Sequence, residues 1–167
     1  MSDPIHVRPA TAADRPWVEE LLRGSWGSTV VVSRGVAHDA AHLPALLAIR
    51  DGAAIGLATY RVDGGECEIV SLDAVEPRGG AGTALLAAAA DEARRLGCRR
   101  LWLITSNDNL DALRFYQRRG MRLVAVHRDA IAEARRLKPS IPATGGYGIP
   151  IRDELELELV LEEPVSE

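Results

Sequence analysis

Three groups of residues in this sequence have the types and spacing for chemistry. The first is a glycine turn, Arg78, Gly79, Gly80, Ala81, Gly82 and Thr83, opening a helix-forming run "ALLAAAADEARRLG". Three glycines in four residues cost chain entropy, which points to a backbone that something must approach closely. A strand, a glycine turn and a helix leave free N–H groups at the helix start, where the dipole adds partial positive charge; together these suit a phosphate. Arg78 adds a fixed charge, and no acid occurs from Pro77 to Ala90, as an anion resting there would favour. The plainer reading is a tight turn with no ligand. The second group is the pair of carboxylates Glu68 and Asp73 on the strand "CEIVSLDAV" before the turn, groups able to take a proton. The third is the helix-forming stretch "NLDALRFYQRRG", with Asn109 suited to cap it and Tyr116 a phenol that can give a proton.

The ligand is narrowed by what is missing. A P-loop needs Gly-Lys-Ser/Thr, and the only lysine is Lys138. A dinucleotide turn needs G-x-G-x-x-G; Gly80 and Gly82 fit, but Leu85 takes the third place, and the preceding antiparallel meander does not suit a doubly wound sheet. "EPRGGAGTALLAAA" resembles the coenzyme A loop of the GNAT superfamily of N-acetyltransferases, commonly Q/R-x-x-G-x-G/A, with Gly80, Ala81 and Gly82 on its G-x-G. The leading Gln/Arg falls on Pro77, one place before Arg78. "NLDALRFYQRRGM" resembles the family's N-x-x-A-x-x-x-Y-x-x-x-G-F helix through Asn109, Ala112, Tyr116 and Gly120, with Met121 where Phe is usual. "VRPATAADRPWVEELL" is similar to the family's first strand and helix. From about Asn109 to Glu158 the chain looks like bacterial members whose acceptor is often unassigned.

The resemblance implies acetyl-CoA as co-substrate, with its pantetheine arm between the strands "EIVSLDAV" and "RRLWLITS". Leu72, Ala74 and Val75 would then supply backbone groups to the arm, one N–H between Leu72 and Ala74 would face the thioester carbonyl, and Asn109 would bond the arm or cap its helix. Tyr116 matches the position that protonates the leaving thiolate, and Glu68 sits in an "EIV" context that holds a catalytic Glu in some members. The acceptor amine would attack directly, leaving Ser71, Cys67 and Cys98 no catalytic role. The alternatives are a core aromatic for Tyr116, a solvated strand-end carboxylate for Glu68, and Asp73 as the base. Glu154 and Glu156, on the polar face of the last strand, read as simple solvation, with attraction of a cationic acceptor as the alternative. The reading is therefore an N-acetyltransferase acting on a small-molecule or peptide amine; a non-catalytic acetyl-CoA-sensing module is the rival from another class. Homodimers are common in the family, and the oligomeric state stays open.

Those groups need elements to position them. The 167 residues, with 47% hydrophobic and 26% charged, suit one globular domain spanning 1–167. A net charge of −4 gives no basic field for nucleic acid, no apolar run reaches a membrane span, and "MSDPIHVRPA" has no apolar signal-peptide core, so the expectation is cytoplasmic. Two cysteines without CxxC spacing read as buried apolar residues, and no metal site is expected. "IHVRPA" reads as a strand, "TAADRPWVEELLRG" as a helix capped by Thr11 and stopped by Gly24, "TVVV" as a short strand and "GVAHDAAHLP" as loop or weak helix. "ALLAIRDG" and "AAIGLATYRVDG" read as strands joined at Asp51-Gly52, with a second turn at Gly64-Gly65. "RRLWLITS" and "MRLVAVHR" read as strands, "DAIAEARRLK" as a helical turn or two, and "IRDELELELVLEE" as a half-buried strand by its alternation. The whole is a mixed α/β domain (α+β mixed sheet): an antiparallel meander, then a central parallel strand pair splayed apart. "KPSIPATGGYGIPIRDE", Lys138 to Glu154, is too long for a plain hairpin and reads as an acceptor-site loop with Tyr147 over the acceptor. If it is only structural cover, the acceptor site falls around Trp26 to Arg34.

Overall fold

A computed structural model describes residues 3–76 and 78–161. Nine strands occur in chain order: β1 (His6–Pro9), β2 (Val30–Ser33), β3 (Val36–Asp39), β4 (Ala45–Arg50), β5 (Ala53–Asp63), β6 (Glu66–Ala74), β7 (Arg100–Ser106), β8 (Arg122–His127) and β9 (Glu154–Val160), counted among the described residues. Seven of them form one mixed sheet in the order β1-β4-β5-β6-β7-β9-β8. The other two, β2 and β3, pair as a separate hairpin. The α-helices are α1 (Arg15–Trp26), α2 (Ala81–Arg95), α3 (Leu110–Arg118) and α4 (Ala130–Leu137). All sheet pairs are antiparallel except β6 with β7. The mixed α/β class and the meander with a central parallel pair are as expected from the sequence.

Each sheet face is covered by its own apolar cluster. On one, α2 and α3 pack Leu85, Ala89, Ala93 and Tyr116 against Ile69, Leu101, Leu103 and Leu157. On the other, Val18 and Leu22 of α1 and Val31 of β2 pack on Leu47, Leu57 and Val70. Side chains of a strand alternate between faces, so Ile69 and Val70 go to different clusters. Cys67 and Cys98 are buried and unpaired, and burial pushes the Cys67 thiol up to about 12, which leaves it unreactive.

The turn chemistry follows the sequence in most places. Asp51 and Gly52 take φ 52° and 77°, and Gly64 and Gly65 take 58° and 76°, the left-handed pairs a tight hairpin needs. Two expectations are corrected. Gly24 does not stop α1: the helix runs to Trp26, and Gly27, at φ 77°, caps it by giving its N–H to Arg23 O. The left-handed cap is the stronger terminator, and the added turn carries Trp26 to the site. Nor is "GVAHD" loop or helix; Arg34 and Gly35 turn left-handed and fold it back as β3 on β2.

Two irregularities at the centre of the sheet shape the site. Between Thr59 and Tyr60 the β5–β6 register jumps from Ser71 to Ile69, so Val70 is an extra, bulged residue. Bulges re-aim side chains and often stand beside active sites. The parallel β6–β7 ladder runs only from Glu66↔Arg100 to Ile69↔Leu103. Beyond that, β6 stays on β5 through Ala74 and β7 stays on β9 through Ser106, while the two no longer pair with each other. A gap between two central strands opens there.

Candidate active site

Two cavities flank that gap. The larger, about 880 Å³, runs from Leu72 and Ala74 across the glycine turn to α3. The smaller, about 390 Å³, lies between β6, β7, the β2–β3 hairpin, α4 and the chain after it.

The glycine turn forms one wall of the larger cavity. Arg78 and Gly80 are left-handed, at φ 71° and 90°; for arginine this is uncommon, and it bends the chain sharply into α2. Gly80 is the N-cap and Ala81 the first residue of a helix with no acid in its first turn, so its N–H groups face an acid-free opening. Gly82 is closely packed: a Cβ there would stand 3.0 Å from Phe115 Cζ, and the ring would have to give by a few tenths of an ångström. Arg50, at the end of β4, backs the turn by donating to Gly79 O at 2.9 Å. Arg119 donates through Nε to Thr83 Oγ1 (2.8 Å) and through Nη1 to Phe115 O (2.9 Å), and its guanidinium lies 3.8 Å from the Phe115 ring centroid. Arg78, Arg114, Arg118 and Arg119 all line this cavity, against only two acids, Glu76 and Asp111, among the described residues. The lining is net cationic. Pro77 lies outside the described residues.

The gap supplies the next part. Val75 gives its N–H to Ile55 O at 2.9 Å. Amide directions alternate along a strand, so the N–H groups of Ala74 and Leu72 point away from β5, into the gap. Val75 is thus occupied by β5 and is absent from the cavity wall, whereas Leu72 and Ala74 line it. Asn109 caps α3 by accepting from Ala112 N (3.3 Å) and donates to Thr105 Oγ1 (3.2 Å); Ala112 lines the larger cavity and Asn109 the smaller. Tyr116 is 9% exposed, lines the larger cavity, and packs edge-on against Phe115. Its hydroxyl makes no hydrogen bond among the described residues. Burial, with the nearby Asp73 charge second, raises its pKa, so it stays protonated at neutral pH.

The structure separates the two expected carboxylates. Glu68 is 2% exposed, in the wall of the smaller cavity. Ser33 donates to its Oε2 (2.5 Å) and Arg61 to its Oε1 (3.1 Å); it is not a solvated strand end. Asp73 accepts from Trp26 Nε1 at 2.9 Å, and burial raises its pKa. Trp26 lines the smaller cavity. Glu68→Gln should lower stability by about 2–3 kcal/mol, below the roughly 3–5 of a fully buried pair, because Arg61 keeps 31% side-chain exposure. Urea unfolding of both proteins checks this.

The segment 138–154 is divided between the cavities. Lys138, Ser140, Ile141 and Pro142 line the smaller one. Tyr147 does not reach it: 69% exposed, it stands at the rim of the larger cavity and donates to Asp111 Oδ1 (2.5 Å). The segment is pinned, because Asn107 Oδ1 accepts from Arg152 N and Asp153 N, and Asp108 Oδ2 accepts from Gly146 N. Lys138 Nζ donates to Trp26 O and Val30 O, each at 2.8 Å.

Sequence reasoning missed three residues here. Arg50, Arg119 and Lys138 reach their partners only through the fold. Glu154 is the largest correction: it is 2% exposed and lines the smaller cavity, at a strand that lies between β7 and β8, with Arg34 of the β2–β3 turn 3.7 Å from its carboxylate. Burial raises its pKa. Glu156 is not simply solvated either, since Arg100 and His127 both bond it. Among the described residues no helix is long and apolar enough to cross a membrane, and no group of three or more His, Cys, Asp or Glu could hold a metal.

The chain is similar to several known proteins. YdhI of Bacillus subtilis (strain 168), an uncharacterised protein, is 42% identical over 158 residues, spanning 93% of this chain and 98% of its own length. An IAA acetyltransferase structure from Bacillus cereus ATCC 14579 superposes with a TM-score of 0.75 at 22% identity, covering 95% of this chain and all of that one. A GNAT family acetyltransferase from Elizabethkingia anophelis, with acetyl-CoA bound, superposes at 0.71 and 20% identity, covering 95% and 99%. Residues 14–121 match the Acetyltransferase (GNAT) family, and the chain belongs to it.

Proposed function

We propose that this protein moves an acetyl group from acetyl-CoA directly to a primary amine, across the gap between β6 and β7. One observation carries the reading: the β6–β7 ladder ends at Ile69↔Leu103 while a cationic cavity opens on one side and a carboxylate-bearing cavity on the other. A pyrophosphate suits the α2 start and its arginines, and an amide-bearing arm suits the unpaired edge of β6.

Bound acetyl-CoA would supply an acetyl thioester, activated toward an amine. The chain's own residues do the rest. The inward N–H groups at Leu72 and Ala74 suit an oxygen that gains charge; one such donor is typically worth about 3–4 kcal/mol. Tyr116 holds a proton at the wall of the larger cavity and can give it to a leaving thiolate. Glu68, held by Ser33 and Arg61, lines the amine's route, and Asp73 positions Trp26. Tyr147 and Asp111 form a rim over the coenzyme side.

Coenzyme A at about 100 times its dissociation constant should stabilise the protein by roughly 2.7 kcal/mol, seen as a rise in Tm that NAD does not reproduce. The function itself is tested by thiol release from acetyl-CoA across a panel of amines. Release should depend on the amine. Binding of acetyl-CoA with no amine-dependent release would mark a sensing module instead.

A further inference from the structure

Among the described residues, Lys138 is the one charge at the smaller cavity without an opposite charge beside it. Three charged side chains line that cavity: Glu68, Lys138 and Glu154. Glu68 pairs with Arg61 at 3.1 Å and Glu154 with Arg34 at 3.7 Å. Lys138 forms no ion pair among the described residues; its Nζ donates to two neutral carbonyls, Trp26 O and Val30 O. Those bonds fix the ammonium in place without neutralising it, and an ammonium has a third donor. Glu68 does not neutralise it either. Ser33, which donates to Glu68, and Val30, which accepts from Lys138, stand three residues apart on β2, about 10 Å along an extended strand. The Lys138 side chain is half-buried, and burial disfavours its charge. A charge so placed normally has a counter-ion.

The chain after α4 adds donors beside it. Ile141 N donates to Lys138 O at 3.2 Å, closing a turn with Pro139 in its second place, where proline pre-sets the backbone. Lys138, Ser140 and Ile141 of this turn line the cavity. The hydroxyls of Ser33 and Ser106 are already given to Glu68 and Asp108, whereas neither the hydroxyl nor the N–H of Ser140 has a partner among the described residues.

Resting on the acetyl-transfer reading above, we infer that the acceptor is a compact amine that also carries a carboxylate, and that Lys138, with Ser140 beside it, binds that carboxylate. One fixed positive charge suits one monoanionic group. A polyamine would instead bring more positive charge to Lys138. The volume of about 390 Å³, near the lower end of ligand pockets at roughly 300–1,000 Å³, suits a single amino acid. Lys138 is thus a specificity residue: it acts on which amine is bound and not on bond making.

Calorimetric titration at neutral pH with two matched pairs tests this: leucine against leucinamide, and 4-aminobutyrate against 4-aminobutyramide, each added to protein saturated with coenzyme A. Each pair keeps the amine and the carbon chain and removes the negative charge. In at least one pair the acid should bind about 10–100-fold more tightly, as a hydrogen bond to a charged partner allows. Lys138→Met should bring that acid and its amide to equal affinity, whatever it does to both. No preference for the acid in either pair overturns the inference without any variant. So does a Lys138→Met protein that weakens acid and amide by the same factor, the result of a clamp on Trp26 and Val30 alone. Because Lys138→Met also removes that clamp, Ser140→Ala is the second variant. Its position is exposed, so it should fold normally and lower the acid's preference about threefold; an unchanged preference removes this turn from the acceptor site. Failure of coenzyme A to bind, or of acetyl-CoA to release thiol with any amine, would contradict the acetyl-transfer reading alone, because the acid preference is read from binding and can be repeated without coenzyme A.

Discussion

Gly82→Asp should bind neither coenzyme A nor acetyl-CoA at concentrations that saturate the parent protein. Two effects act together. Any Cβ at this position comes within 3.0 Å of the Phe115 ring, which must shift along with Arg119, whose guanidinium lies on that ring. The carboxylate also puts negative charge in the first turn of α2, where a phosphate would sit and where the sequence has no acid. Gly82→Ala isolates the steric part and should bind with an intermediate loss. Calorimetric titration measures both, and circular dichroism checks that the aspartate variant is folded. A folded Gly82→Asp with parental affinity would remove the phosphate assignment from this turn.

Tyr116→Phe should lower kcat by about 10²–10³-fold, within the range typical of losing a general acid, while coenzyme A affinity changes little. The edge-on packing against Phe115 and the burial of the ring persist in phenylalanine, so stability should hold. Steady-state kinetics with a saturating amine, set beside a coenzyme A titration, separates the two effects. A fully active Tyr116→Phe would leave the proton to water or to another residue.

These two positions were legible in the sequence because their signals are local. Gly80 and Gly82 stand two apart at a strand-to-helix turn, and Tyr116 follows Asn109 at helical spacing. Both hairpins of the meander were legible for the same reason, through left-handed pairs at Asp51-Gly52 and Gly64-Gly65. The Arg34-Gly35 turn was less visible: arginine is not a usual left-handed residue, and "AHDAAH" mimics weak helix. Gly24 misled because a glycine inside a helix looks like its end, whereas the cap depends on the conformation that Gly27 adopts. Glu154 could not be placed locally. Leu155, Leu157, Leu159 and Leu161 reveal one buried face of the last strand, but Arg34, which pairs with Glu154, is more than 100 residues away in the chain. Arg50 and Lys138 are hidden in the same way, since one backs Gly79 from β4 and the other ties the chain after α4 to Trp26 and Val30.

The most direct measurement is one mass-spectrometric experiment: incubate the protein with acetyl-CoA carrying an isotope-labelled acetyl group and a primary amine, then weigh both the amine product and the intact protein. Direct transfer across the β6–β7 gap predicts labelled acetamide in an amount that follows the amine and the protein, with the protein's own mass unchanged at every time point. A labelled protein that forms before the product and decays as the product appears would contradict direct transfer, as would the absence of any labelled amine.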